Sequence, residues 1–127
     1  MPIRIFLVED HPVMREAYAL VLERETDVEI CGTAETAEEC LAVLNEMPCD
    51  LVVTDLSLPG MDGVALLERV HEVRPGLPAI VISAHDEKSH GERARRAGAR
   101  AYLNKRDLAR RLVPTIRRVV EDGTVSA

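Results

Sequence analysis

Residues 51–63 read LVVTDLSLPGMDG. The first four are aliphatic or β-branched, as a strand buried on both faces requires, yet the run ends on a carboxylate, Asp55, and then breaks into Pro-Gly and Asp-Gly turn signals. A buried strand gains nothing from a terminal charge. Asp55 is therefore either an ordinary polar residue at a strand exit or part of a site that wants an anionic oxygen at that end of a sheet.

Working outward, similar short runs recur: IRIFLV (3–8), VEICGT (28–33), DLVVTD (50–55), PAIVIS (78–83) and AYLN (101–104). Stretches of helical periodicity separate them, at 12–25, 36–47, 63–74, 87–97 and 107–121. Val13, Ala17, Leu20 and Val21 mark the apolar positions of the first helix; Val64, Leu67 and Val70 mark those of the third. Asp62 with Gly63 is the expected N-cap of the third helix, and Ala97-Gly98 the stop of the fourth. This alternation of strand and helix is the mark of βαβ units, so the expected fold is α/β: a five-stranded parallel sheet, doubly wound with helices on both faces. Two segments resist it. HDEKSHGERARR (85–96) has almost no apolar face and carries Gly91, which predicts a marginal, mobile fourth helix. Pro114 falls inside the last helix, which should kink there or start late.

The 127 residues fit one domain, and 46% apolar with 30% charged residues is a globular composition. The net charge of −6 argues against direct nucleic acid binding. Cys31, Cys40 and Cys49 are odd in number and lack the short spacing of zinc ligands, so reduced thiols in a cytoplasmic protein are expected. The N-terminal apolar run is too short for a signal peptide or a membrane span.

In open α/β sheets the ligand site lies beyond the carboxyl ends of the strands. Glu9 and Asp10 follow the first strand, Asp55 ends the third, Ser83 ends the fourth and Lys105 follows the fifth. Three converging carboxylates repel one another, so a cation lowers the free energy of the cluster, and an all-oxygen set suits Mg²⁺. Lys105 adds a positive charge suited to a phosphoryl oxygen, and Ser83 a hydroxyl donor. Singly, each has a plainer reading: the Glu9-Asp10 pair as a cap for the first helix, Lys105 as a surface lysine, Ser83 as a partner for a strand-end backbone group, and His11 and His85 as polar loop residues.

Taken together, LVEDH at the first strand, VVTDLSLPGMDG at the third, VISA at the fourth and AYLNK at the fifth resemble the receiver domain of bacterial two-component response regulators. The likeness runs from about residue 3 to 121. VEDHPVMREAYALVLE and VEICGTAETAEECL resemble the NarL/LuxR-type subfamily. The resemblance implies a flavodoxin-like fold of strand order 2-1-3-4-5 over residues 1–127, with 122–127 as a tail or the start of a linker. It implies Asp55 as phosphoacceptor, with Mg²⁺ held by Glu9, Asp10, Asp55 and the backbone carbonyl of Ser57. Lys105 and Ser83 would engage the phosphoryl group, and Ser83 with Tyr102 would form the switch, although Tyr102 also reads as a static packing residue. Ser57 and His85, each two positions beyond a site residue, would modulate the access of water to the acyl phosphate.

The implied partners are a sensor histidine kinase or phosphotransfer protein and a second copy in a homodimer, with no membrane. DNA would be reached only through a C-terminal domain, as in a transcriptional regulator. A stand-alone phosphorelay or protein-binding module is the alternative. An aspartyl-phosphate hydrolase on the same fold would want a second Asp where this chain has Ser57, so a signalling role is expected rather than an enzyme.

Overall fold

The computed structural model describes residues 2–84 and 87–126. Strands β1 (Ile3–Val8), β2 (Val28–Ala34), β3 (Leu51–Asp55), β4 (Ala79–Ser83) and β5 (Ala101–Asn104) pair in parallel in the order β2-β1-β3-β4-β5. Helices α1 (Pro12–Glu23), α2 (Ala37–Leu44), α3 (Gly63–Val73), α4 (Glu87–Arg96) and α5 (Leu108–Ser126) alternate with them, and a 3₁₀ turn at Lys105–Asp107 leads into α5. The order reverses at β1 and β3, which makes their carboxyl ends the switch point.

Side-chain alternation along the strands splits the core in two. Ile5, Leu7, Val53, Ile82 and Leu103 pack with Tyr18 and Leu22 of α1 and with Leu112 and Ile116 of α5. Phe6, Val8, Val52, Val81 and Tyr102 face Cys40 and Leu44 of α2, Leu66 and Leu67 of α3, and Ala94 of α4. A period of two carried from Leu7 to Glu9, and from Val53 to Asp55, sends both acids to the α1/α5 side, whereas Ser83 falls on the side of Val81 and Tyr102.

Several local expectations change. In α1, Val13 and Leu20 are 66% and 62% exposed, not core. The inward face is instead Met14, Ala17, Tyr18, Val21 and Leu22, a stripe with spacings of three and four that the apolar letters at 13 and 20 obscure. A ten-residue α4 forms despite its polar sequence because its inward face needs only small residues: Gly91 and Ala94 are buried, followed by Ala97. Arg93 also ties it to Asp62, the N-cap of α3, at 3.2 Å. The last helix does not start late. It runs from Leu108 through Pro114, which is exposed along with Arg110, so the carbonyl that loses its helical donor lies on the solvent side.

The expected caps hold: the Asp62 side chain accepts from the Ala65 N–H at 2.9 Å, and Gly98 adopts φ of 111° after α4. Cys40 and Cys49 are buried and Cys31 half-buried, all as free thiols. Cys31 is the extra residue where the β1–β2 register slips, since Ile5 pairs with Ile30 and Phe6 with Gly32.

Gly63 joins the fold to the site. Its N–H donates to the Leu56 carbonyl at 2.8 Å, and a Cβ there would collide with the backbone oxygen of Asp55 and come within 2.9 Å of the Leu56 Cα. Both obstacles are backbone, so neither yields by a rotamer change. Gly63→Ala is expected to destabilise the domain by about 2–3 kcal/mol, read from the denaturant midpoint, because it forces apart the α3 start and the β3 exit.

Candidate acidic site at the switch point

β3 delivers Asp55 to the carboxyl edge of the sheet, where it is 4% exposed. The loop after it bends back at once: the Ser57 N–H donates to Asp55 Oδ1 at 3.2 Å, while Thr54 Oγ1 donates to the Asp55 carbonyl at 2.9 Å. These two bonds fix the carboxylate and its backbone. Glu9, fully buried after β1, accepts from the His11 N–H at 3.2 Å through Oε2. Its backbone carbonyl accepts from Arg15 at 2.8 Å, and Arg15 also pairs with Glu35 at 3.2 Å. Arg15 thus pins the loop that carries the acidic pair, a role that local sequence spacing does not reveal. His11 is the N-cap of α1 without a side-chain cap bond, so Glu9 serves that helix start and the acid cluster together.

One carboxylate oxygen from each of Glu9, Asp10 and Asp55 lies within 4.8 Å of the other two; Asp10 is exposed and the others buried. Lys105 reaches in from the end of β5. Its Nζ donates to Asp55 Oδ2 at 2.9 Å and stands 3.6 Å from Glu9 Oε1, a Coulombic contact beyond hydrogen-bond length. Among the described residues, Glu9 Oε1 therefore remains a buried acceptor without a hydrogen bond. An orphaned carboxylate oxygen beside two further carboxylates is the donor set a small oxygen-seeking cation fits.

The electrostatics agree. Burial, then the negative charge of Asp55, hold the Glu9 carboxyl above its usual range. Burial alone would lower the Lys105 ammonium, but its hydrogen bond to Asp55 and the charges of Asp55 and Glu9 outweigh that and raise it. Glu9 is thus easier to protonate in the folded chain than in the unfolded one, so folding favours the proton-bound form. Its contribution to stability is fully present below the ordinary carboxylate value and is lost as pH rises through the raised one. Asp27 beside Arg117 and Asp50 beside Arg4 are both lowered, and their contributions fade only at more acid pH. Glu9→Gln is expected to raise the melting temperature of the metal-free domain near neutral pH and to flatten its decline above the usual carboxylate range.

The remaining expected residues fall as follows. Ser83, buried at the end of β4, is level with Asn104 of β5, and Tyr102 lies two residues below on the same face. Ser57 is exposed next to Asp55. His85 lies outside the described residues.

Residues 5–117 match the family model of the response regulator receiver domain. The chain belongs to that family. Among its relatives, the transcriptional regulatory protein YhcZ of Bacillus subtilis (strain 168) is 34% identical over 112 residues, 88% of this chain and 52% of that protein. The transcriptional regulatory protein UhpA of Salmonella typhimurium is 31% identical over 121 residues, 95% of this chain and 60% of that one. This receiver therefore spans about half the length of the curated relatives it matches.

Among solved structures, a LuxR-family two-component response regulator from Aurantimonas sp. SI85-9A1 aligns with a TM-score of 0.91 at 29% identity, covering 96% of this receiver and 87% of that chain. Such relatives make this a NarL/LuxR-type receiver. The module is not confined to transcription regulators. A protein-glutamate methylesterase/protein-glutamine glutaminase of Syntrophus aciditrophicus is 37% identical over 86% of this chain, which covers 32% of that enzyme. No helix among the described residues is long and apolar enough to cross a membrane.

Proposed function

We propose that this receiver takes a phosphoryl group onto Asp55 from the phosphohistidine of a kinase or phosphotransfer protein and thereby switches a regulatory output. The observation that carries the reading is the buried Asp55 carboxylate held between the Ser57 N–H and the Lys105 ammonium, inside a three-acid cluster at the switch point. A carboxylate is already anionic at neutral pH, so the reaction needs positioning and charge neutralisation rather than a general base. An Asp55 oxygen attacks phosphorus, a P–O bond forms, the P–N bond breaks, and the electron pair leaves with the imidazole nitrogen.

Glu9, Asp10 and Asp55, with the Ser57 carbonyl, would hold Mg²⁺, which when bound offsets charge on the phosphoryl oxygens. Lys105 turns its ammonium from Asp55 to a phosphoryl oxygen, and Ser83 donates its hydroxyl to another. Inward movement of Ser83 leaves room for Tyr102, whose ring shares its face of the sheet, so phosphorylation shifts a population between two faces of β5. Ser57, beside the phosphoryl position, tunes the access of water, and the same role is assigned to His85. The likeness to YhcZ and UhpA makes transcription control the output we favour.

Incubation with a small acyl or amido phosphate donor, with and without Mg²⁺, tests the reading by intact mass. One Mg²⁺-dependent adduct is expected. A folded domain that gives no adduct at any Mg²⁺ concentration contradicts it.

A further inference from the structure

Among the described residues, two buried side-chain polar atoms lack a hydrogen-bond partner: Glu9 Oε1, already placed in the acid cluster, and the hydroxyl oxygen of Tyr18. Tyr18 stands in the middle of α1 and is 0% exposed. It packs on the side of the sheet that Glu9 faces, among aliphatic side chains, Ile5, Leu7, Val53, Ile82 and Leu112 included, which offer its hydroxyl no acceptor. Helix α1 starts beside the acids, at the carboxyl end of β1, and runs back along the sheet. Aromatic side chains on a helix lean toward its N-terminus, so the Tyr18 ring carries its hydroxyl toward the acids rather than away from them. Burial, and then the negative charges of Glu9 and Asp55, hold the phenol above its usual range, so both carboxylates act on the hydroxyl. Packing alone does not account for the tyrosine, because phenylalanine would fill an aliphatic pocket without stranding an oxygen.

From this juxtaposition we infer that Tyr18 is a positioning residue for the cation site: with a divalent cation on the acids, its hydroxyl donates to Glu9 Oε1 from the core side. The inference rests on the reading of Glu9, Asp10 and Asp55 as cation ligands and needs no phosphoryl transfer. In the metal-free chain Oε2 accepts from the His11 N–H, while Oε1 faces the Lys105 ammonium at 3.6 Å, which balances its charge. A cation at the cluster takes over that balance. An ionised carboxylate oxygen has two lone-pair positions, so Oε1 can ligate on the open side, where Asp10 is exposed, and accept from the buried hydroxyl on the other. A donor fixed in the core then holds Glu9 in its ligating orientation, as outer-shell partners of metal ligands do.

The test titrates Mg²⁺, without any phosphodonor, into the wild-type chain and into Tyr18→Phe, followed by the NMR shifts of amides at the site. Tyr18→Phe is expected to weaken Mg²⁺ binding at least about tenfold. Without Mg²⁺ the same variant should melt at or above the wild-type temperature, because it removes a buried hydroxyl that lacks a partner. These opposite effects separate positioning from a merely structural role. The chain has two tyrosines, so with carbon-13 at the tyrosine Cζ the resonance missing from Tyr18→Phe assigns Tyr18. In the wild type, Mg²⁺ should shift that resonance as the hydroxyl gains an acceptor.

Equal Mg²⁺ affinity of the two proteins would overturn the inference. A Tyr18 resonance indifferent to Mg²⁺, or a metal-free variant that melts below the wild type, would do the same. Each of these leaves the phosphoacceptor reading in place. A folded wild-type chain that binds no Mg²⁺ would instead remove the cation site on which both readings stand.

Discussion

Asp55→Asn is expected to abolish phosphoryl acceptance completely while leaving the domain folded and at least as stable. The amide is close to isosteric, and its oxygen still accepts from the Ser57 N–H that now bonds Oδ1 at 3.2 Å. What disappears is one of the charges that raise the Glu9 carboxyl. Lys105 loses its 2.9 Å partner but keeps Glu9, and with a quarter of its side chain exposed it retains water as well. Loss of the nucleophile removes the reaction outright because an amide oxygen cannot replace the carboxylate. The check is intact mass after treatment with the phosphodonor, alongside a thermal melt. A variant that still gains one phosphoryl group would move the acceptor to another residue.

Lys105→Ala carries the second large effect, and it acts on both stability and chemistry. The wild-type ammonium is the one described cation in contact with both buried carboxylates, at 2.9 Å from Asp55 and 3.6 Å from Glu9. Removing it leaves two like charges, 0% and 4% exposed, facing each other without compensation. Breaking a buried pair in this way costs about 3–5 kcal/mol, and the partial exposure of Lys105 places the expected loss near the lower figure.

A divalent cation at the same carboxylates substitutes for much of the missing charge. Saturating Mg²⁺ should therefore raise the melting temperature of Lys105→Ala by more than it raises that of the wild type. Phosphoryl acceptance should fall by at least about a hundredfold even when Mg²⁺ has restored the fold, because nothing then neutralises the phosphoryl oxygen that Lys105 would face. Equal Mg²⁺ stabilisation of both proteins would separate the lysine from the acid cluster.

The strands and the doubly wound sheet were legible because strand signals rest on a period of two and on β-branched runs, and both survive reading without an alignment, whereas the strand order was implied only by the resemblance to receiver domains. The acid cluster was legible for a related reason. Glu9, Asp10, Asp55 and Lys105 each stand at the end of a strand candidate, and strand ends on one side of a parallel sheet converge by construction.

What could not be read was contact between elements whose letters carry no period. Val13 and Leu20 look as apolar as Val21, yet they point outward, and the core position of α1 belongs to Tyr18, an aromatic whose hydroxyl has no hydrogen-bond partner among the described residues. Helix α4 reads as unsupported because Gly91 and Ala94 score poorly as a hydrophobic face, although small residues are what close approach to a sheet demands. The link from Arg15 to the Glu9 carbonyl, and that from Arg93 to Asp62, span elements and leave no local trace.

The most direct test of the central claim is to trap the acyl phosphate chemically. After exposure to a phosphodonor with Mg²⁺, borohydride reduction converts a phosphorylated aspartate to homoserine, and peptide mapping locates it. Homoserine at position 55 alone, dependent on both donor and Mg²⁺, is the predicted result. Homoserine at Asp10 or any other aspartate, or none in a protein that carries the phosphoryl mass, would contradict the assignment of Asp55 as the acceptor.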